Sequence, residues 1–305
     1  TTDNKPTESE HNRNLHGTTA PFGRVVAPPI AYFPLPIAYS SPMSFGLGHG
    51  KPLDPALGVV GISREELPEL PDSIIDDPES GRIDLRNWFE HPDRPFELEI
   101  GSGKGAFLVQ QADLQPDTNF LGIEWAGEFA AYIADRIRRR RENENTHTNV
   151  RVLHSDAAQL LQWRCPDAII DVVHLYFSDP WPKNKHHKKR VIQHQTLYDI
   201  WRCLKPGGEL RVVTDHDDLW AWDLAHFDHW AKGASSAEEQ FKRPSIPAAP
   251  PKVRAFLDAC ESLPFTFGGF DKPESAGEGE LVGTNFERKF RIEGRSFNAG
   301  VLKKV

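Results

Sequence analysis

The sequence of 305 residues predicts an α/β protein built on a doubly wound, mostly parallel sheet of seven strands. From Phe96 onward, β-branched and aromatic runs alternate with helical patterns, and a glycine-rich turn follows the first strand. The run Ala168–Phe177 is typical of a buried strand. Open sheets of this class bind ligands beyond the carboxyl ends of their strands, so candidate site residues are expected there.

Five strands come first, and each is followed by a helix. The strands are predicted at 96–101, 119–124, 150–154, 168–177 and 208–214. The helices are predicted at about 104–114, 127–141, 157–163, 189–203 and 217–231. After a proline-rich stretch at 244–251, we expect a helix near 252–262 and two final strands, near 264–270 and 282–292.

The N-terminal part has a different composition. Residues 1–95 hold 14 of the 25 prolines, and up to about residue 50 neither helical nor strand periodicity is present. We therefore predict a largely disordered extension over residues 1–80 and one folded domain over residues 81–305. Met43 is the only methionine in the chain, which suggests the hypothesis that translation starts there.

Composition restricts the class of protein. No apolar run approaches the roughly 18 residues of a membrane span, so a soluble protein without a membrane partner is expected. Three widely spaced cysteines argue against a disulfide framework or a zinc site and favour a reducing cytoplasm. The net charge is −8, but residues 1–95 carry −6 of it, and concentrated basic patches lie in the remainder.

The glycine-rich turn after the first strand predicts a cofactor site. Gly101, Gly103 and Ala106 also fit the relaxed dinucleotide pattern G-x-G-x-x-A. Glu99 lies two residues before the first glycine, where a carboxylate would repel a pyrophosphate but could accept hydrogen bonds from an amino group. A cofactor that carries a cationic amino acid, such as S-adenosylmethionine, is therefore favoured over a dinucleotide.

Two further acids follow the next strands. Glu124 ends the second strand 23 residues after Gly101, where a ribose-binding carboxylate is expected, although a solvated strand end is the alternative. Asp156 follows the third strand and could accept from an adenine amino group or cap the following helix. The two roles of Asp156 are compatible.

Asp179 follows the predicted strand at 168–177 and is expected to be a catalytic residue. Two prolines flank the neighbouring Trp181 and fix the backbone, which favours a rigid loop. A basic run that could bind nucleic-acid phosphates comes next: Lys183, Lys185, Lys188, Lys189 and Arg190. An ordinary loop with a solvated basic face is the alternative. The arginine run at 136–141 is a second candidate surface, and a solvated helix face is again the alternative.

The matching residues span about 83–292, and over this range the chain closely resembles the bacterial tRNA (guanine-N7)-methyltransferases. The resemblance is carried by Glu99–Gly105, Gly122–Glu124, Phe177–Arg190, Val213–Asp215 and Gly283–Arg288. It implies the Rossmann-like methyltransferase fold and methyl transfer from S-adenosylmethionine to N7 of a variable-loop guanosine, position 46, in tRNA. Ser102, Ser178 and an acidic stretch at 274–280 depart from the family pattern without removing a catalytic group.

The resemblance also implies roles for individual residues. Glu99, Gly101, Gly103, Glu124, Asp156 and Asp179 are expected to bind the cofactor, with Asp179 also at the catalytic position. Lys183, Asp215, Thr284, Asn285, Phe286 and Glu287 are expected to contact the substrate. We expect tRNA as the partner, no metal, and a monomer or a homodimer.

Other function classes explain less of the sequence. Another S-adenosylmethionine-dependent RNA methyltransferase shares most of these features. A nicotinamide-dependent oxidoreductase accounts only for the glycine loop and Glu124, and a non-catalytic tRNA-binding protein needs no intact set of acids.

Overall fold

The computed structural model describes residues 52–305, and its centre is one sheet. Five parallel strands come first: β1 (Phe96–Ile100), β2 (Asn119–Glu124), β3 (Val150–His154), β4 (Ile170–Tyr176) and β5 (Leu204–Thr214). Three more complete it: β6 (Ala231–Lys232), β7 (Phe265–Gly268) and β8 (Asn298–Lys304). The order is β3-β2-β1-β4-β5-β8-β7-β6, and β8 is antiparallel to both of its neighbours. The predicted doubly wound α/β sheet is confirmed.

Helices connect the strands. They are α1 (Ala106–Leu114), α2 (Gly127–Glu144), α3 (Ala157–Trp163), α4 (His194–Cys203), α5 (Asp217–Trp230), α6 (Pro251–Ala259) and α7 (Asn285–Ile292). Short 3₁₀ helices lie at Asp72–Ile75, Pro78–Gly81, Leu85–Trp88 and Asn184–Lys189. Among residues 52–305, no helix has both the length and the apolar character to cross a membrane.

The central strands bury one apolar face, whereas their other face combines apolar side chains with Glu97, Glu99 and His174. On the apolar face, Leu98, Leu121 and Val173 are buried completely, and Ile123 and Leu175, each one residue before the end of its strand, are buried nearly as well. Such a continuous apolar face is expected where helices cover a parallel sheet. Their carboxyl ends therefore lie at one edge of a rigid layer, where the following loops can hold polar groups.

The end of the chain differs from the prediction. Residues 285–292 form helix α7 instead of a strand, and the last strand is β8 at 298–304. The physical reason is the helix cap at Thr284, whose Oγ1 accepts from the N–H of Glu287 at 3.0 Å; the Glu287 carboxylate in turn accepts from the N–H groups of Val282 and Gly283, just before the helix. Phe286 and Phe290 then recur at helical i, i+4 spacing on α7.

Smaller differences concern element boundaries. The sheet has eight strands in the described residues instead of seven, because the two-residue β6 pairs with β7 at the edge. The helix predicted from residue 189 begins at His194, because the lysine-rich stretch before it forms a separate 3₁₀ turn.

The expectation of disorder up to residue 80 is wrong for residues 52–80; the remainder of that prediction lies outside the described residues. Val60 and Ile62 are buried, and the chain here pairs with β3 through Gly61 and Val152. The Arg151 guanidinium donates to the carboxylate of Glu66 at 2.6 Å. Prolines interrupt any helical or strand periodicity in this segment, so its order could not be read from the sequence pattern. Single apolar residues such as Val60 and Ile62 nevertheless pack onto the domain.

Candidate active site

The glycine loop lies between β1 and α1, as predicted. Gly101 and Gly103 have φ angles of +76° and +54°, a conformation in which glycine avoids the steric penalty of a side chain. At Gly105, a Cβ atom would lie 2.8 Å from the Cγ2 atom of Ile133 on α2. Glycine therefore lets this loop turn tightly and lets α1 and α2 pack closely beneath it.

Glu99 provides a buried carboxylate next to this loop. Its side chain is 5% exposed, and Oε2 has no hydrogen-bond partner among the described residues. Burial raises the pKa of Glu99 to about 7, the nearby Ser102 hydroxyl works in the opposite direction, and the charge of Glu124 adds to the rise. An unpaired buried carboxylate of this kind is suited to accept hydrogen bonds from a cationic ligand group.

Glu124 connects the glycine loop to the end of β2. One carboxylate oxygen accepts from the N–H of Gly103 at 2.8 Å and the other from the N–H of Ala126 at 2.9 Å. Burial raises the pKa of Glu124, the two backbone donors oppose the rise, and the charge of Asp179 adds to it. Asp179 therefore lies within electrostatic reach of Glu124, so the structure brings these two predicted site residues together.

Asp156 caps α3, as the sequence allowed. Its Oδ1 atom accepts from the N–H groups of Ala158 at 2.8 Å and Gln159 at 3.3 Å. The side chain is only partly buried, so its second oxygen remains available to a ligand.

Trp125, which directly follows Glu124, is a candidate site residue that was not predicted from the sequence. This indole is 64% exposed, which is unusual for so large an apolar side chain. The Trp125 carbonyl oxygen lies 3.1 Å from Nε2 of His154 at the end of β3. The signal available in the sequence is an aromatic residue directly after the predicted ribose-binding acid at the end of a strand.

Asp179 is exposed in the loop beyond β4, at the predicted edge of the sheet. Phe177 has a φ angle of +53° and Trp181 one of +43°, which is uncommon for aromatic residues. Such backbone strain persists where surrounding structure enforces it, and it is frequent at functional sites. The N–H of Phe177 donates to the Val213 carbonyl at 2.8 Å, so β5 helps to hold this loop.

Four lysines share the next segment, residues 183–189, which we call the lysine loop. All four are exposed, and none lies within 4.0 Å of a carboxylate in the described part of the chain: Lys183, Lys185, Lys188 and Lys189. The ammonium of Lys189 lies 4.5 Å from the ring centre of Trp181, a cation–π contact that keeps both groups at the surface. This loop therefore presents unpaired positive charge beside Asp179.

Arg190 does not belong to this exposed set, and its predicted contact with tRNA phosphates is wrong. The side chain is only 2% exposed. Its Nε atom donates to the Pro180 carbonyl at 2.8 Å, and its guanidinium also donates to the Asp218 carboxylate. A run of basic residues in a sequence does not show which of their side chains are buried in the fold and which are exposed for binding.

The second candidate surface, the arginine run on α2, is largely engaged within the protein. Arg138 and Arg139 both pair with the Asp135 carboxylate. Arg140 pairs with Glu144. Arg141 donates to a set of backbone carbonyls: Val59, His147, Thr148 and Val150. These contacts favour the alternative of a structural helix face over a phosphate-binding surface.

Asp215 follows β5 and is occupied by an ion pair. Its Oδ2 atom accepts from Arg295 at 2.6 Å, and its side chain is 12% exposed. The Arg295 guanidinium also lies 4.1 Å from the ring centre of Phe290 on α7. Asp215 therefore connects the end of β5 to the segment after α7.

Thr284 and Glu287 are buried and organise the start of α7. The Glu287 carboxylate accepts from the N–H groups of Val282 at 2.8 Å and Gly283 at 2.9 Å, and Arg291 pairs with it at 2.7 Å. Burial alone would raise the pKa of Glu287, but these donors outweigh it and the pKa is lowered. Both residues lie in the region predicted for substrate contact, but their own hydrogen bonds are internal.

Asn285 and Phe286, in contrast, are exposed in the first turn of α7. Phe286 is 51% exposed, and its ring lies 3.5 Å from the position that a Cβ atom of Gly103 would take. The Phe290 ring on the same helix lies 6.1 Å from the ring of Phe177, two residues before Asp179. Helix α7 therefore places an exposed aromatic ring at the glycine loop and an aromatic contact on the Asp179 loop.

Within residues 52–305, no group of three or more His, Cys, Asp or Glu side chains is arranged to hold a metal ion.

Comparison with known proteins agrees with this geometry. A family model described as "Putative methyltransferase" matches residues 93–251, slightly more than half of the chain. A tRNA (guanine-N(7)-)-methyltransferase of Corynebacterium diphtheriae is 36% identical over 200 residues, which are 61% of this chain and 75% of that protein. The enzyme of the same name from Nitrobacter hamburgensis is 37% identical over 60% of this chain and 67% of its own length.

Among solved structures, the aminoglycoside resistance methyltransferase NpmB1 aligns with 78% of this chain and 95% of its own, at a TM-score of 0.41 and 19% identity. The family model matches more than half of the chain, and these relatives are more than 30% identical to it over two thirds or more of their own length. The chain belongs to the tRNA (guanine-N7)-methyltransferase family.

Proposed function

We propose that this protein transfers a methyl group from S-adenosylmethionine to N7 of a guanosine in tRNA, and that this guanosine is the variable-loop residue at position 46. The observation that carries the proposal is the grouping of three acids, Glu99, Glu124 and Asp179, around a glycine loop beside unpaired lysines. Family membership supports the same reaction.

The cofactor fits the buried charge of the site. Glu99 has an unpartnered oxygen and a pKa of about 7, so a cationic amino group would supply the hydrogen bonds that it lacks. Pyrophosphate would bring negative charge to the same place, which argues against a nicotinamide dinucleotide. Glu124 is proposed to hold the ribose hydroxyls, Asp156 the adenine amino group, and the exposed Trp125 ring to cover the nucleoside.

The reaction needs alignment more than proton transfer. S-adenosylmethionine, when bound, supplies a methyl group on a positively charged sulfur. Guanine N7 carries an in-plane lone pair and no proton, so the protein need not supply a general base. Asp179 is exposed and can accept hydrogen bonds from the N1–H and N2–H groups of guanine. Its negative charge then also stabilises the purine as it becomes cationic.

The surrounding residues are proposed to hold the RNA. Lys183 and the other lysines of the lysine loop are proposed to contact phosphates, and the exposed Phe286 is suited to stack on a base. Asn285 can reach the same nucleotide, while Thr284 and Glu287 keep α7 in place. Asp215 is proposed to act on the substrate side together with its partner Arg295.

Nucleoside mass spectrometry tests the reaction. Transfer RNA incubated with the protein and labelled S-adenosylmethionine should yield labelled 7-methylguanosine, and the Asp179→Ala variant serves as the control. Cleavage of the product RNA at 7-methylguanosine, followed by sequencing, locates the modified position. Label in 1-methylguanosine or N2-methylguanosine would contradict the proposal, because those atoms must lose a proton and would require a general base.

A substituted tRNA sharpens the test. A tRNA with 7-deazaguanosine at the target position should bind with near-normal affinity but accept no methyl group. The replacement removes the N7 lone pair and leaves N1–H and N2–H, the proposed partners of Asp179, unchanged. Methylation of this analogue would place the nucleophile elsewhere on the base.

A further inference from the structure

Asp179 takes its position from its neighbours in the chain. Its carboxylate makes no hydrogen bond to any residue in the range 52–305, although the proposed chemistry needs it in one place. On the N-terminal side, the Phe177 N–H is held by the Val213 carbonyl at 2.8 Å. On the C-terminal side, the adjacent Pro180 carbonyl accepts from Nε of Arg190 at 2.8 Å.

Arg190 is itself fixed from several directions. Its guanidinium donates to the carboxylate of Asp218 in the first turn of α5 and lies 5.2 Å from the ring centre of Trp222 on the same helix. The guanidinium is fully shielded from solvent, whereas the Asp218 side chain is 55% exposed. Burying a guanidinium costs free energy of folding unless its N–H groups are hydrogen-bonded. Arg190 therefore stays in the one position where it can reach these partners.

The contact between Arg190 and Pro180 closes the lysine loop at its base. Nine residues lie between the two partners, and the four exposed lysines are among them. The anchor therefore connects α5, which packs in the core, to the residue that follows Asp179.

We propose that Arg190 is a positioning residue for Asp179: it holds the Pro180 carbonyl against α5 and thereby fixes the carboxylate that orients the target guanine. The inference rests on the proposed function, in which Asp179 acts on that base. Lysine cannot replace arginine here. The planar guanidinium directs Nε to a carbonyl and a second nitrogen to a carboxylate, whereas an ammonium has no fixed fork.

The expected effect is on the rate of methyl transfer. A displacement of a reacting group by about 1 Å can reduce a rate by about 100-fold. We therefore expect Arg190→Lys to lower kcat by about 100-fold. The Kd of S-adenosylhomocysteine and the salt dependence of tRNA binding should stay unchanged, because Arg190 contacts neither ligand.

Two matched controls separate positioning from other causes. Arg202 is also buried, at 7% exposure, and donates to the carbonyls of Leu161 in α3 and of Cys165 just after α3, before the start of β4, whereas Asp179 follows the end of β4. Arg202→Lys should destabilise the fold to a similar extent and leave kcat near the wild-type value. Lys185→Ala, which removes one proposed phosphate contact, should reduce the slope of log K against log salt by about 0.7–0.9, and it shows what the loss of such a contact does in the same titration.

The experiment is a set of single-turnover rates, salt titrations and trypsin digestions of the full chain, run well below each variant's melting temperature. Trypsin should cleave the lysine loop faster in Arg190→Lys than in the wild type or in Arg202→Lys, because the base of the loop is released. Asp218→Asn, which keeps an acceptor but removes the charge, should give a smaller change of the same kind. If Arg190→Lys does not fold, the kcat and the trypsin cleavage of Asp218→Asn test the positioning role in its place.

The outcomes are distinct. A wild-type kcat in both Arg190→Lys and Asp218→Asn would overturn the proposal, and so would an equal loss of kcat in Arg202→Lys. A reduced salt slope in Arg190→Lys would overturn it in favour of a phosphate contact. A wild-type protein that does not methylate tRNA would refute the proposed function, and faster cleavage of the lysine loop in Arg190→Lys alone would still support the anchor.

Discussion

Burial of Glu99 predicts that cofactor binding depends on pH, and the size of the expected effect follows from the pKa of Glu99. The pKa is raised from an ordinary value of 4.5 to about 7, so the folded protein without ligand holds a proton on Glu99 that the unfolded chain loses at lower pH. Because the folded state binds more protons, its stability falls as pH rises from about 4.5 to about 7. A shift of this size corresponds to about 3 kcal/mol.

A cationic amino group relieves this cost by pairing with the ionised carboxylate. Binding then competes with protonation, and the apparent Kd rises below the pKa. With a pKa of about 7, S-adenosylhomocysteine should bind about eightfold more weakly, with a larger Kd, at about pH 6 than at about pH 7.5. The product is the suitable ligand because it carries the amino group and does not react.

Calorimetry at the two pH values tests the reasoning. The Glu99→Gln variant should bind S-adenosylhomocysteine more weakly at about pH 7.5, and its Kd should lose most of the pH dependence. Replacement of the exposed Glu278 by Gln is the control and should change neither the Kd at about pH 7.5 nor its pH dependence. Methylthioadenosine, which has the ribose but no amino acid part, shows how much of the dependence belongs to Glu124, whose pKa burial also raises. Equal Kd values for S-adenosylhomocysteine at both pH values in the wild type would refute the assignment.

Three further predictions concern the catalytic acid, the lysine loop and α7. Asp179→Ala should lose most methyl transfer, since its proposed role is to orient the base; wild-type turnover in a methylation assay would remove that role. Replacing Lys185, Lys188 and Lys189 by Ala should weaken tRNA binding and flatten its salt dependence by about 0.7–0.9 for each lost phosphate contact, and an unchanged slope would mean that tRNA docks elsewhere. Thr284→Ala should lower the free energy of unfolding by about 1 kcal/mol in urea titrations because it removes a helix cap, whereas Thr284→Ser should restore it; equal stability of the two variants would argue against the cap.

The sheet and the positions of the acids could be predicted because they depend on local pattern. A buried strand followed by a glycine turn places Glu99 near the loop, and the spacing to the next strand places Glu124. Arg190 could not be assigned in this way. Its partners Pro180 and Asp218 come from different parts of the chain, and only the packing of α5 brings them together.

The sequence also contains a signal for helix α7. Thr284 and Glu287 have the spacing of a capping box, which indicates the start of a helix inside the segment predicted as a strand. The exposure of Phe286 and Asn285, and the burial of the two residues on either side of them, depend on how that helix lies against the domain. The sequence alone therefore could not show that, of residues 284–287, only Asn285 and Phe286 are exposed to a substrate.

The unpaired lysines of the lysine loop have a consequence for how an RNA would approach. The chain carries a net charge of −8, so at long range it repels another polyanion. At physiological ionic strength, however, the Debye length is about 8 Å, and charges farther away than that are largely screened. An RNA close to the surface therefore responds to the nearest charges, which are attractive at the lysine loop, while the arginines of α2 are offset by Asp135 and Glu144. This charge distribution would favour encounters in which the RNA meets the lysine loop over those in which it meets α2.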